Sequence, residues 1–170
     1  MSAGKIRVGV LACAIILAAV QTAHAASGMI VALGASNTYG KGVARNQAYP
    51  AQLEAILRAK GHTVRVINAG INGNTTAQML ARLNGAVPGG TRAVILQPGG
   101  NDRRRGKDDT AQNVAEIQNR LAARGVRVVM MENGMFRGLP KQAEGQHLTP
   151  EGYRILADSI ASQVEGVLGR

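Results

Sequence analysis

Apolar positions recur along this chain with two different periods. Met29–Leu33, Thr63–Ile67 (TVRVI), Ala93–Gln97 (AVILQ) and Val126–Met131 (VRVVMM) are short runs rich in β-branched residues, each followed by glycine or polar residues, and they read as strands. Between them, apolar residues return every three or four positions. Leu53, Ile56 and Leu57 do so within Gln47–Lys60, Met79, Leu80 and Leu83 within Thr75–Leu83, and Val114, Ile117 and Leu121 within Thr110–Arg124. Those spacings predict helices, and Gly61 and Gly125 stand where two of them should stop. Thr149 before Pro150 opens a last helix to about Leu168, because proline lacks only an N–H that a first turn leaves unpaired anyway. Strand and helix alternate four times. The pattern predicts an α/β fold: a three-layer α/β/α sandwich around a parallel sheet of four or five strands. In such sheets ligands gather beyond the carboxyl ends of the strands.

Ahead of the first strand the pattern changes. Lys5 and Arg7 give a basic start, Val8–Val20 is apolar, and Ala23-His24-Ala25 closes the stretch. This is the layout of a secretory signal peptide, so residues 1–25 are expected to be a cleaved leader and residues 26–170 a single domain in the periplasm or outside the cell. A membrane helix and a lipoprotein signal at Cys13 are the rivals. The apolar stretch is short for a span, however, and little of it precedes Cys13. No stable membrane insertion is expected once the leader is gone. Cys13 is the only cysteine, so the domain carries neither a disulfide nor a cysteine metal site, and its core must supply its stability.

The formal charge of +10 on the chain changes the list of conceivable partners. Without Lys5 and Arg7 it is still +8, which raises nucleic acid, anionic lipid and acidic polysaccharide. Arg58, Lys60, Arg65, Arg82, Arg92, Arg124 and Arg127 are nevertheless scattered, and the few aromatic residues offer bases no stacking platform. Nucleic acid is therefore not expected. The one basic block is Arg103-Arg104-Arg105 with Lys107.

The strand ends hold the candidate chemistry. The first delivers Ser36 and Asn37 (GASN), the second NAGINGNTT, and the third GGND with Asn101 and Asp102. The loop after the fourth delivers Glu144 and His147. A phosphate-binding loop needs four residues between its first glycine and Gly-Lys, then a hydroxyl; here five intervene between Gly34 and Gly40-Lys41, and Gly42 follows. A serine nucleophile needs a base, normally histidine. His62 precedes a strand and so lies at the wrong end of the sheet, whereas His147 lies at the correct end, three residues after a carboxylate that could orient it.

Taken in order, these four blocks resemble the SGNH hydrolase family, the GDSL-type esterases and lipases, over essentially all of residues 26–170. The resemblance implies a flavodoxin-like SGNH hydrolase fold and an exported serine esterase that cleaves carboxylic esters or thioesters through an acyl-enzyme. Ser36 would be the nucleophile, His147 the base and Glu144 the residue orienting it. The Ser36 and Gly73 N–H groups and the Asn101 amide would form the oxyanion hole, with Gly70 the second candidate for the glycine. No cofactor or metal is implied, and the partner would be a small acyl ester, a lipid or an acylated glycan. A carbohydrate O-acetyl esterase and a catalytically silent binding protein are the alternatives. Arg103, Arg104 and Arg105 would either rim the site or form a solvated basic loop. Two positions depart from the family: Ala35 and Glu144 stand where aspartates are usual. The span from Asn101 to His147 leaves room for one helix and one strand, so the sheet is expected to be shortened near the C-terminal end.

Overall fold

The computed structural model describes residues 27–169; the proposed leader and its cleavage after Ala25 lie outside them. Four strands are present among these residues: β1 (Ser27–Gly34), β2 (Thr63–Gly70), β3 (Thr91–Leu96) and β4 (Arg127–Met130). All pairs are parallel, in the order β2-β1-β3-β4. The chain therefore builds outward from β1 in one direction and then in the other. The crevice between β1 and β3 is the switch point where such sheets bind ligands.

Helices cover both faces. α2 (Tyr49–Ala59) and α7 (Pro150–Leu168) pack on one, while α3 (Thr76–Ala81), α4 (Leu83–Ala86) and α6 (Thr110–Ala123) belong to the other. The alternation of β1 explains why its sequence shows no polar face. Ile30 and Ala32 join Leu53, Leu57, Tyr153, Leu156 and Ile160 on the α2–α7 side, while Val31 and Leu33 join Met79, Leu83, Ile117 and Leu121 on the other. Pro150 opens α7 with Thr149 as its cap, as expected, the threonine oxygen accepting from Gly152 N–H.

Two corrections are local. The helix expected over Thr75–Leu83 is broken at Arg82: Thr75 caps α3 reciprocally with Gln78, and a separate turn, α4, resumes at Leu83. Two further one-turn helices, α1 (Ser36–Tyr39) and α5 (Asn101–Arg104), follow β1 and β3 directly. At four residues each, they are too short to show a period.

The buried tyrosines of this core make stability fall at high pH. Burial pushes the Tyr153 phenol up to about 12 and raises that of Tyr49 further. The unfolded chain releases these protons from about pH 10 upward while the folded chain keeps them, so the unfolding free energy is expected to drop between pH 10 and about 12. Denaturant titrations across that range check it, and a flat profile would contradict the assignment. Leu156→Ala, at a site without solvent exposure, should cost about 2–5 kcal/mol in the same titrations at neutral pH.

Candidate active site

The chain passes from β1 to α1 through one residue, Ala35, so Ser36 stands at the first position of a helical turn at the carboxyl edge of the sheet. The first N–H groups of a helix have no intrahelical acceptor, which leaves that of Ser36 for a ligand. So abrupt a turn requires small residues. A Cβ on Gly34 would lie 2.1 Å from Thr38 Oγ1, and that hydroxyl donates to Gln97 Oε1 at 2.9 Å in the interior. Gly70, paired with Gly34 across the sheet, lets β2 meet the α1 backbone, because a Cβ there would be 2.2 Å from Tyr39 N. The two glycines that the sequence offered, Gly73 first and Gly70 second, differ in their surroundings. Gly70 is a packing residue, whereas Gly73 adopts a positive φ of 76° on an exposed turn, its carbonyl accepting from Arg105 at 3.0 Å.

Ser36, His147 and Glu144 form one hydrogen-bonded chain. Ser36 Oγ lies 2.9 Å from His147 Nε2, and His147 Nδ1 lies 2.6 Å from Glu144 Oε1. A carboxylate can only accept, so Nδ1 carries the ring proton and Nε2 accepts from the hydroxyl. The longer glutamate side chain fits because it folds back over its own loop. Its carboxylate also accepts the N–H groups of Gln146, at 2.6 Å, and His147. These bonds, that from the Gln146 backbone foremost, hold the Glu144 carboxyl below the usual carboxylate range, so it stays charged into mild acid. His147 itself is buried, at 7% exposure.

Asn101 begins α5 and is also buried. Its Nδ2 donates to the Asn74 carbonyl at 2.8 Å, which ties the end of β3 to the loop after β2. Neighbouring Asp102 is a structural anchor: it accepts from Thr76 N and, at 2.6 Å, from Thr76 Oγ1. Ser36, Asn101 and His147 open onto a cavity of about 60 Å³, shared with Ala35, Gln97 and Arg104. A larger concavity of about 590 Å³ beside Gln118, Val128 and Val167 contains neither hydroxyl nor histidine.

The basic block splits into three roles. Arg104 lines the cavity, Arg105 braces the Gly73 carbonyl, and Arg103 is exposed and does not line the cavity. Gly73 stands beside the cavity rather than in its wall. His62 lies away from the site, 2.9 Å from Glu165. Arg82 and Gln97 were not singled out as site residues by the sequence. Arg82 is half-buried and donates to Asn74 Oδ1 at 2.7 Å and to the carbonyls of Gly34 and Ala69, joining the ends of β1 and β2 to the second loop. Burial lowers its pKa. Gln97 did leave a signal, as the one polar residue ending an apolar strand.

Comparison with known proteins places this geometry in context. Residues 32–161 match the family model described as GDSL-like Lipase/Acylhydrolase. Esterase TesA of Pseudomonas aeruginosa is 33% identical over 113 residues, covering 65% of this chain. The match spans 56% of that relative's own length. Among solved structures, AlinE4, an SGNH-hydrolase family esterase, is 29% identical with a TM-score of 0.58, covering 82% of this chain and 73% of that one. The psychrotrophic esterase EstA from Pseudoalteromonas sp. shares the fold at 17% identity and a TM-score of 0.75, covering 85% of this chain and 100% of that one.

The steric assignment of the glycines is tested by substitution. Gly70→Ala should destabilise by about 1–3 kcal/mol, because the new methyl meets backbone that cannot yield. Gly85→Ala, with open space around it in α4, should instead stabilise by about 0.4–1 kcal/mol. Thermal melts of the two variants should shift in opposite directions.

Proposed function

Because the chain belongs to the GDSL-like lipase/acylhydrolase family, we propose that it is a serine esterase, exported through a leader at residues 1–25, which hydrolyses small carboxylic esters or thioesters through an acyl-enzyme. The observation that carries this reading is the unbroken chain from Ser36 Oγ through the His147 ring to Glu144, with contacts of 2.9 and 2.6 Å. A hydroxyl is a poor nucleophile until its proton has somewhere to go. As Ser36 Oγ attacks the ester carbonyl, Nε2 of His147 takes that proton, and the ring becomes a cation held by the Glu144 carboxylate. The carbonyl oxygen becomes an alkoxide facing the Ser36 N–H, the Asn101 amide and the Gly73 loop, where each donor lowers the barrier by about 3 kcal/mol. Collapse expels the alcohol or thiol with the proton from His147 and leaves an ester on Ser36. Water then repeats the sequence, giving up its proton to His147, and frees the acid.

The size of the cavity favours a second, narrower reading. The cavity of about 60 Å³ beside Ser36 suits an acetyl group better than a long acyl chain, and a separate concavity of about 220 Å³ adjoins it at Gln146 and His147. On this reading the alcohol could be a carbohydrate, as in an O-acetyl esterase.

Assays on p-nitrophenyl acetate, butyrate and octanoate test both readings. The wild type should turn over the acetate fastest, and Ser36→Ala and His147→Ala should each lose all but about one part in a thousand of kcat or less. A fluorophosphonate should label the wild type and not Ser36→Ala. Equal turnover by Ser36→Ala, or a folded wild type that neither turns over esters nor takes the label, would remove the serine mechanism. A preference for octanoate would remove the acetyl reading alone.

A further inference from the structure

Asn101 is gripped at both ends of its amide. Nδ2 donates to the Asn74 carbonyl at 2.8 Å, and Oδ1 accepts from Arg104 Nη2 at 2.5 Å. An amide nitrogen carries two hydrogens. Asn74 uses one, and the other remains for a ligand in the cavity that Asn101 and Ser36 both line. The second arm of Arg104 reaches Gln146 Oε1 at 3.1 Å, beside His147. Both acceptors are neutral, and no ion pair of Arg104 occurs among the described residues. Arg104 is exposed, but one edge of its guanidinium lies against the Asn101 amide rather than against a carboxylate.

We propose that Arg104 is a positioning residue for the esterase reaction: it acts through Asn101, fixing which end of the amide faces the cavity and strengthening its N–H as a donor to the oxyanion. The inference rests on the esterase reading above. Two effects combine. A flipped Asn101 would set Oδ1 against the Asn74 carbonyl and NH₂ against a guanidinium, so the productive orientation is the only one that both neighbours accept. A charge-assisted bond to Oδ1 also draws electron density from the nitrogen, and bonds in such a chain reinforce one another. The gain is largest when the negative charge appears on the substrate, so it belongs to kcat more than to KM. Arg104 also joins α5, which carries Asn101, to the loop that carries His147.

The test combines kinetics with NMR. On p-nitrophenyl acetate, Arg104→Ala should lose about ten- to hundredfold in kcat while KM stays near the wild-type value. Added guanidinium ion should restore part of the loss, and Arg104→Lys should fall between. Lys107→Ala, which removes an exposed charge from the same segment, controls for net charge and should match the wild type. In ¹⁵N-edited spectra, with the Asn101 side-chain amide assigned through Asn101→Ala, its protons should move upfield in Arg104→Ala. Unchanged kcat, a loss confined to KM, or Asn101 signals that do not move would each overturn the proposal. Should the wild type prove inactive on every ester, the esterase reading falls instead, and the Asn101 shift alone decides whether Arg104 holds the amide.

Discussion

The site depends on one steric constraint, the passage from strand to helix through a single residue at the end of β1. Gly34 ends the strand, Ala35 is the whole of the turn, and Ser36 begins α1. The turn closes only because Thr38 can fold back onto the strand end, where it bonds Gln97, and because Gly70 lets β2 run against the α1 backbone. Small residues at three points therefore convert the geometry of a parallel sheet into the placement of one hydroxyl. Ala35 is buried in the apolar cluster beside Leu33 and Met79, so a methyl fills the place of the family's usual aspartate. The turn is held instead by neutral bonds and by Arg82, which grips the carbonyls of Gly34 and Ala69.

Much of this was legible in the sequence, and the reasons differ by residue. The four strands and the long helices were readable because each buries a face whose period the apolar residues must follow. Ser36 and Asn101 were readable because a strand end delivers each, and His147 because the four blocks follow one another in the order of the family they resemble. The short helices α1 and α5 were not, since one turn carries no period. The packing role of Gly70 depended on the α1 backbone that passes behind it, a long-range matter that local sequence does not encode. The reach of Glu144 was hidden for a similar reason. An extra methylene looks like a misfit until the loop is seen to curl, presenting its own N–H groups to the carboxylate.

Charge was the least legible property. Scattered in sequence, the arginines look like a solvated surface, yet Arg82, Arg104 and Arg105 bond backbone and amide groups around the site. Arg82, Asn74, Asn101, Arg104 and Gln146 follow one another in a continuous line of hydrogen bonds from the end of β1 to the loop beside His147. Two cations thus stand along this line, whose hydrogen-bonded members include no carboxylate; Glu144 and Asp102 lie to its sides.

His147 and Glu144 share a mounting that Ser36 does not. Ser36 and Asn101 stand on strand ends inside the core, whereas Glu144 and His147 ride on a loop fastened by Gln142 to His147 O and Lys41 O, and by Thr149 to Pro140 O. The Glu144 side chain is 46% exposed even in the closed loop. Local openings of such segments cost less free energy than global unfolding. An opening of this loop would therefore separate His147 from Ser36 while the sheet and helices stayed intact.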